Sequence, residues 1–267
     1  MIKFTKGHAY GNDFLYVRTA DLPAKSPLDA LARELCHRQD GIGADGLILY
    51  EPTSDGASMR LFNADGGRAE VSGNGVRALA ALLLRDDPRS NVEITIHTEG
   101  GIKRLVRTER GPSRQTFRAA MGLPSDLRLT PVSAGGESFD LAVMSFGNPQ
   151  CVALGPLPDE DRFRRLGPVL ERHALFPQGS NVEFAHIEAP DRIRILIWER
   201  GVGPTMSSGT GSCAALIAAA AFGGAARAAD VVAPGGTQRV EWRDDSVYLT
   251  GWAEALFDGV WQRPTSR

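Results

Sequence analysis

Glu70-Val-Ser-Gly-Asn-Gly-Val-Arg77 and Met206-Ser-Ser-Gly-Thr-Gly-Ser-Cys213 constrain this chain more than any other stretch, because each sets a small polar side chain on a glycine-rich turn that runs straight into an apolar helix. The glycines permit close backbone approach, and the N–H groups of a first helical turn attract a carboxylate or another anion. The surroundings of the two stretches match as well. Asn12 of Gly11-Asn12-Asp13 lies 60 residues before Ser72, and Asn148 of Gly147-Asn148-Pro149 lies 60 residues before Ser208. An apolar run follows each Gly-Asn pair, Phe14–Val17 in one and Cys151–Leu154 in the other. Several shared features at one spacing predict a duplicated structural unit.

A chain of 267 residues with 42% apolar content can fill the cores of two such units. Its formal net charge of −2, with lysines and arginines scattered, gives no electrostatic footing for nucleic acid or an anionic membrane, so small molecules are the expected partners. Met1-Ile-Lys-Phe-Thr-Lys6 alternates like a strand and shows no apolar targeting stretch. The longest apolar run, Cys213–Phe222, is about half of what a membrane span requires. Cys36, Cys151 and Cys213 are odd in number without metal-ligand spacing, and the five histidines form no metal set, which together fit a metal-free protein of a reducing cytoplasm. Cys213 stands five residues past Ser208 on an apolar helix and reads as core.

Ser26 as N-cap, Pro27 at the first helical position and Leu28, Leu31, Ala32 and Leu35 at helical spacing predict a helix over 26–38. Strands are predicted at Leu47–Tyr50, Met59–Phe62, Ile94–His97 and Ile102–Val106, and in the second half at Asp140–Met144, Asn181–Phe184, Ile193–Trp198, Gln238–Trp242 and Val247–Thr250. Arg243–Ser246 reads as a hairpin turn, and Gly111–Arg114 and Leu123–Glu137 read as linkers. The helical segments 75–85 and 211–222 are apolar nearly all round, whereas a surface helix would show a polar face, so both are expected to be enclosed by other elements. The expected fold is mixed α+β: two pseudo-symmetric lobes, each a sheet wrapped around one buried central helix, with a boundary near residue 116 and the glycine-rich turns facing one another across a cleft.

At these motifs the chain resembles the diaminopimelate epimerase family. The resemblance is carried by His8-Ala-Tyr-Gly-Asn-Asp-Phe14, Gly41-Ile-Gly-Ala-Asp-Gly46, Phe62-Asn-Ala-Asp-Gly66, Ser72-Gly-Asn-Gly75, Gly147-Asn-Pro149, Glu199-Arg-Gly201, Ser208-Gly-Thr-Gly211 and Pro234-Gly-Gly236, in order from end to end. It implies two lobes of largely antiparallel sheet, 1–116 and 117–255, with about 256–267 packing back on the first. It also implies cofactor-independent inversion at an amino-acid α-carbon on the route to lysine and cell-wall diaminopimelate, by a cytoplasmic homodimer. Position by position, Asn12, Asn63, Asn148, Asn181, Glu199 and Arg200 correspond to substrate ligands of the family, and Gly73, Asn74, Gly209 and Thr210 to its helix-mouth N–H donors. A zwitterionic amino acid suits such a set, its carboxylate meeting helix N-termini while Arg200 and Glu199 pair with a second charged end.

The family uses two opposed cysteines to remove and deliver the α-proton, and this chain has Ser72 and Ser208 at those positions. Gln150 stands where the family usually has a histidine that tunes the thiols, with Glu199 the other residue of that role. A thiol ionises near pKa ~8.5 and an alkyl hydroxyl roughly where water does, near ~16, so a serine alkoxide costs on the order of 10 kcal/mol more to form. Three readings stand: an active epimerase with a serine pair, a related isomerase shifting a proton in another acid with Glu70, Asp65 or Glu199 as base, and a non-catalytic protein that has kept the amino-acid pocket.

Overall fold

The computed structural model describes residues 1–22 and 26–262, and in it one order of elements runs through the chain twice. The first pass is β1 (Ile2–Ala9), β2 (Asn12–Arg18), α1 (Leu28–Cys36), β3 (Gly46–Pro52), β4 (Gly56–Asn63), β5 (Arg68–Ala69), α2 (Gly73–Leu83), β6 (Val92–Thr98), β7 (Gly101–Arg110) and β8 (Arg114–Ala120). After β9 (Ser125–Ala134) the order recurs as β10 (Glu137–Ser145), β11 (Pro149–Leu154), α3 (Glu160–Glu171), β12 (Asn181–Ala189), β13 (Arg192–Glu199), β14 (Gly203–Thr205), α4 (Gly209–Phe222), β15 (Ala228–Ala233), β16 (Gly236–Trp242) and β17 (Val247–Trp261). The chain divides into two compact units, Met1–Ala119 joined by the segment from Trp252 onward, and Ala120–Gly251.

Each unit repeats the same pairings. In the first, β1 and β2 form an antiparallel hairpin, β2 runs parallel to β3, β3 antiparallel to β4, and β4 parallel to β6. In the second, β10–β11, β11–β12, β12–β13 and β13–β15 do the same in turn. A parallel pair needs a crossover; α1 and α3 supply it before β3 and β12, and α2 and α4 before β6 and β15. Among the described residues the ladders β1–β17, β4–β5, β6–β7, β7–β8, β9–β10, β13–β14, β15–β16 and β16–β17 are antiparallel, so each unit is a mixed, mostly antiparallel sheet with its last helix at the core.

That central helix is apolar all round because sheet residues cover it all round. Ala78–Ala81 of α2 have no exposure and pack with Ile48, Leu61, Ile96 and Phe117. Cys213–Ala219 of α4 are equally buried, among Val152, Ile195, Val231 and Val240. The alanine richness lets strands approach the helix closely on several sides.

Local expectations need four corrections. The first helix begins at Leu28 with Pro27 at its N-cap and no side-chain capping bond, so Ser26 is not its cap, and it ends at Cys36. The central helices start at Gly73 and Gly209, two residues before the predicted 75 and 211. Leu123–Glu137 is not a linker: Ser125–Ala134 pairs antiparallel with β10, a strand disguised by its polar residues and by Pro131, which has no N–H for a ladder. Helix α3 was not expected from its local pattern; Asp159 caps it by accepting the Arg162 N–H at 2.8 Å, and Phe163, Leu166 and Leu170 form its buried stripe. Positions 263–267, included in the expected C-terminal return, lie outside the described residues.

Candidate active site

Ser72 and Ser208 are the N-caps of the two central helices. Both have extended backbone, φ −129° and −134°, and each Oγ accepts the N–H three residues on, from Gly75 at 3.1 Å and Gly211 at 3.2 Å. Serine is among the best residues for this place, since its oxygen satisfies a donor the helix cannot. Gly73 and Gly209 open the two helices, where N–H groups have no intrahelical acceptor.

In the first unit Asn12 starts β2 and links to the helix mouth. Its Nδ2 donates to Asp45 Oδ2 at 2.7 Å and its Oδ1 accepts from Asn74 Nδ2 at 3.3 Å. Arg77, buried on α2, donates from Nη1 to Asn74 Oδ1 at 3.2 Å and so extends the chain of bonds Asn12, Asn74, Arg77. Asn63 is exposed at the end of β4, where its N–H donates to Gly67 O at 2.8 Å and its carbonyl accepts from Gly66 at 2.9 Å.

In the second unit Gln150 has no exposure and donates from Nε2 to Asn148 Oδ1 at 3.0 Å and to Thr210 Oγ1 at 3.1 Å. It therefore ties the Gly-Asn turn to the first turn of α4, and as a neutral amide it holds position without a titratable proton. Asn181 is buried, accepts the Arg200 N–H at 2.9 Å and donates to Pro149 O at 3.3 Å. Glu199 Oε1 accepts from the Thr205 hydroxyl at 2.9 Å, and the exposed Arg200 donates to Gln178 O at 3.3 Å. The second-unit set thus gathers as Asn148–Gln150–Thr210 and Asn181–Arg200, with Glu199 held by Thr205 beside them in sequence.

One further residue lies at this mouth. Glu183, central on β12, has no exposure, and neither carboxyl oxygen has a hydrogen-bond partner among the described residues. A Cβ placed on Gly211 would lie 2.5 Å from Glu183 Oε1 and 3.1 Å from Ser208 Cβ, so the carboxyl sits against the first turn of α4 next to the capping serine. Burial pushes its pKa well above the usual carboxylate range, and the charge of Glu199 raises it further. Burial at the helix mouth therefore favours the protonated form of Glu183 over its carboxylate.

The first unit shows what else fits there. The parallel ladders equate Ile48 with Glu183, as Tyr16↔Ile48 matches Val152↔Glu183. A Cβ on Gly75 would lie 2.7 Å from Ile48 Cδ1 and 3.4 Å from Ser72 Cβ. The same niche beneath the cap holds an isoleucine in one unit and a glutamate in the other. Nothing local marks Glu183, which lies between Val182 and Phe184; the signal is an ionisable residue where the repeat has an aliphatic one.

The cysteines are all buried, Cys151 and Cys213 in the second unit and Cys36 at the C-terminal end of α1. Burial pushes the Cys36 thiol up to about 12 and the Cys151 thiol higher still. Among the described residues no cluster of three or more His, Cys, Asp or Glu side chains is placed to hold a metal ion, and no helix is long and apolar enough to cross a membrane.

The family model described as diaminopimelate epimerase matches residues 4–124 and 142–256. A diaminopimelate epimerase of Desulforudis audaxviator is 39% identical, with 98% of this chain and 100% of that one covered. One of Bacteroides thetaiotaomicron is 40% identical, with 97% of each covered. The fold is similar to that of a hydroxyproline epimerase from Agrobacterium vitis, solved with bound trans-4-hydroxy-L-proline, at a TM-score of 0.67 and 15% identity over 97% of this chain and 91% of that one. With the twice-built, serine-capped helix mouth and these full-length matches together, the chain belongs to the diaminopimelate epimerase family.

Proposed function

We propose that this protein is an isomerase of the diaminopimelate epimerase type, inverting an amino-acid α-carbon with Ser72 and Ser208 at its two proton-transfer positions, one for each face of the carbon. The observation that carries the reading is the repeated helix mouth, in which each serine caps a buried helix opened by glycine and flanked by a Gly-Asn turn. Such N-termini suit the substrate carboxylate through Gly73, Asn74, Gly209 and Thr210. Asn12, Asn63, Asn148 and Asn181 take the remaining polar groups of the amino acid, and Glu199 and Arg200 its distal charged end. The reading extends to diaminopimelate as substrate, no bound cofactor, and a homodimer in the cytoplasm, on the family resemblance.

A second reading, an amino-acid-binding protein without catalysis, is favoured by Gln150, whose Nε2 is engaged by Asn148 and Thr210 and which has no titratable proton to tune a proton-transfer group. The deciding measurement is exchange of the α-proton in deuterated water, with LL- and meso-diaminopimelate first and a panel of other amino acids after. Deuterium at the α-carbon with a drifting isomer ratio supports the epimerase. Saturable binding without exchange sinks it in favour of the second reading.

A further inference from the structure

We propose that Glu183 is the acid–base partner of Ser208, a residue that acts on the substrate only through the serine hydroxyl. The inference rests on the epimerase reading for the identity of the proton acceptor, but its geometry does not. A buried carboxyl with no partner is costly to keep, and shape does not ask for it, because Ile48 fills the equivalent niche under Ser72. What the carboxyl adds is a transferable proton near the one capping serine that has it: Oε1 and Ser208 Cβ lie 2.5 Å and 3.1 Å from the point a Cβ on Gly211 would take, and a hydrogen bond between carboxyl and hydroxyl forms only when the hydroxyl turns from its cap.

The step balances as follows. As the Ser208 O–H bond breaks and its proton bonds to the substrate α-carbanion, the Glu183 O–H bond breaks and its proton passes to Ser208 Oγ, leaving a neutral serine and a carboxylate. In the reverse direction the α-proton goes to Oγ while the hydroxyl proton goes to the Glu183 carboxylate. Serine is thereby relieved of forming a free alkoxide on this face. The titratable groups that act on Glu183 are Glu199 on β13 and Cys151 on β11, and both stand to favour its protonated form if charged. Since Ile48 cannot do the same for Ser72, the two faces are chemically unequal.

A thiol placed at the serine tests this without any substrate. The variant Ser208→Cys carries it alone, paired with Glu183→Ile, which copies the first unit and so keeps the fold, and paired with Glu183→Gln, which keeps an N–H donor. Ser72→Cys is the control with Ile48 in place of the carboxyl. Glu183→Ile is expected to slow alkylation of the introduced thiol at neutral pH by about tenfold, the equivalent of one pKa unit, and Glu183→Gln to preserve most of the rate. Indifference of the thiol to residue 183 overturns the proposal. In the otherwise native chain, Glu183→Ile and Glu183→Gln are both expected to lower kcat for α-proton exchange with KM unchanged, since an amide gives a hydrogen bond but no proton. Absence of exchange in the native chain alongside a Glu183-dependent thiol would defeat the epimerase reading and leave this inference standing; exchange with kcat and thiol both unmoved by residue 183 would defeat this inference alone.

Discussion

Replacing Ser72 and Ser208 together by cysteine is expected to raise α-proton exchange on diaminopimelate at least a hundredfold. The ionisation advantage of sulfur over a hydroxyl is on the order of 10 kcal/mol, far beyond the ~2 kcal/mol that a helix N-terminus contributes to an anion. If about a third of that difference is expressed in the transition state, the barrier falls by ~3 kcal/mol, or roughly a hundredfold in rate. Both Oγ atoms are helix caps at 3.1 and 3.2 Å, so each change also weakens a cap, at about 1 kcal/mol of stability per site. That loss is tolerable for a domain stable by ~5–15 kcal/mol. Each single variant should gain less than the pair, because abstraction and delivery occur on opposite faces and a lone thiol leaves one of them to a hydroxyl. Adding Gln150→His should increase the rate again by supplying a charge that favours a thiolate, although a histidine cannot keep both Nε2 bonds to Asn148 and Thr210. The assay is deuterium incorporation and isomer ratio for the parent, both singles, the pair and the triple, with urea unfolding of each. Folded pair and triple variants that bind diaminopimelate yet exchange no faster than the parent would refute the two-serine reading.

Three other outcomes are expected. Because the folded pKa of Glu183 lies above its ordinary 4.5, the folded chain holds a proton that the unfolded chain releases, so this group's contribution is most favourable below that pH and erodes as pH rises. The loss is about 1.4 kcal/mol per pH unit until the folded carboxyl ionises. Glu183→Gln should flatten that slope in urea titrations compared at acidic and alkaline pH, and an unchanged slope would show that Glu183 is not the proton holder. Ser72→Ala and Ser208→Ala should each cost about 1 kcal/mol and the corresponding glycine variants only a few tenths, the signature of an N-cap; equal losses for alanine and glycine would contradict it. Thiol reagents should label Cys36, Cys151 and Cys213 slowly in the native protein and leave exchange intact, since all three are buried with the Cys36 and Cys151 thiols pushed up; fast labelling with loss of exchange would place a cysteine in the site.

What the amino-acid sequence determined by itself is the part of the molecule written in local pattern and repeated spacing. All-round apolarity of 75–85 and 211–222 is enough to require enclosure, because a polar face is absent, and α2 and α4 are enclosed. The equal separations Asn12 to Ser72 and Asn148 to Ser208 are enough to announce a repeat, and the pairings recur unit by unit. Strand β9 escaped because Pro131 and a polar run read as a linker, and only pairing with β10 reveals it. Helix α3 was missed, although Asp159 as its cap and Phe163, Leu166 and Leu170 on one face are local signals. The serines as helix caps were within reach of local sequence, since Ser-Gly-x-Gly ahead of an apolar run is a capping signal, but a turn that binds a ligand and a turn that caps a helix use the same residues. Tertiary structure alone decided the place of Glu183. Its position under the Ser208 turn depends on the register Val152↔Glu183 of a parallel pair joined through α3, and on the closeness of α4 to that strand at Gly211. Such a register is set by how a crossover closes and how a core packs, so the neighbours it creates are distant in sequence and leave no mark in any window of it.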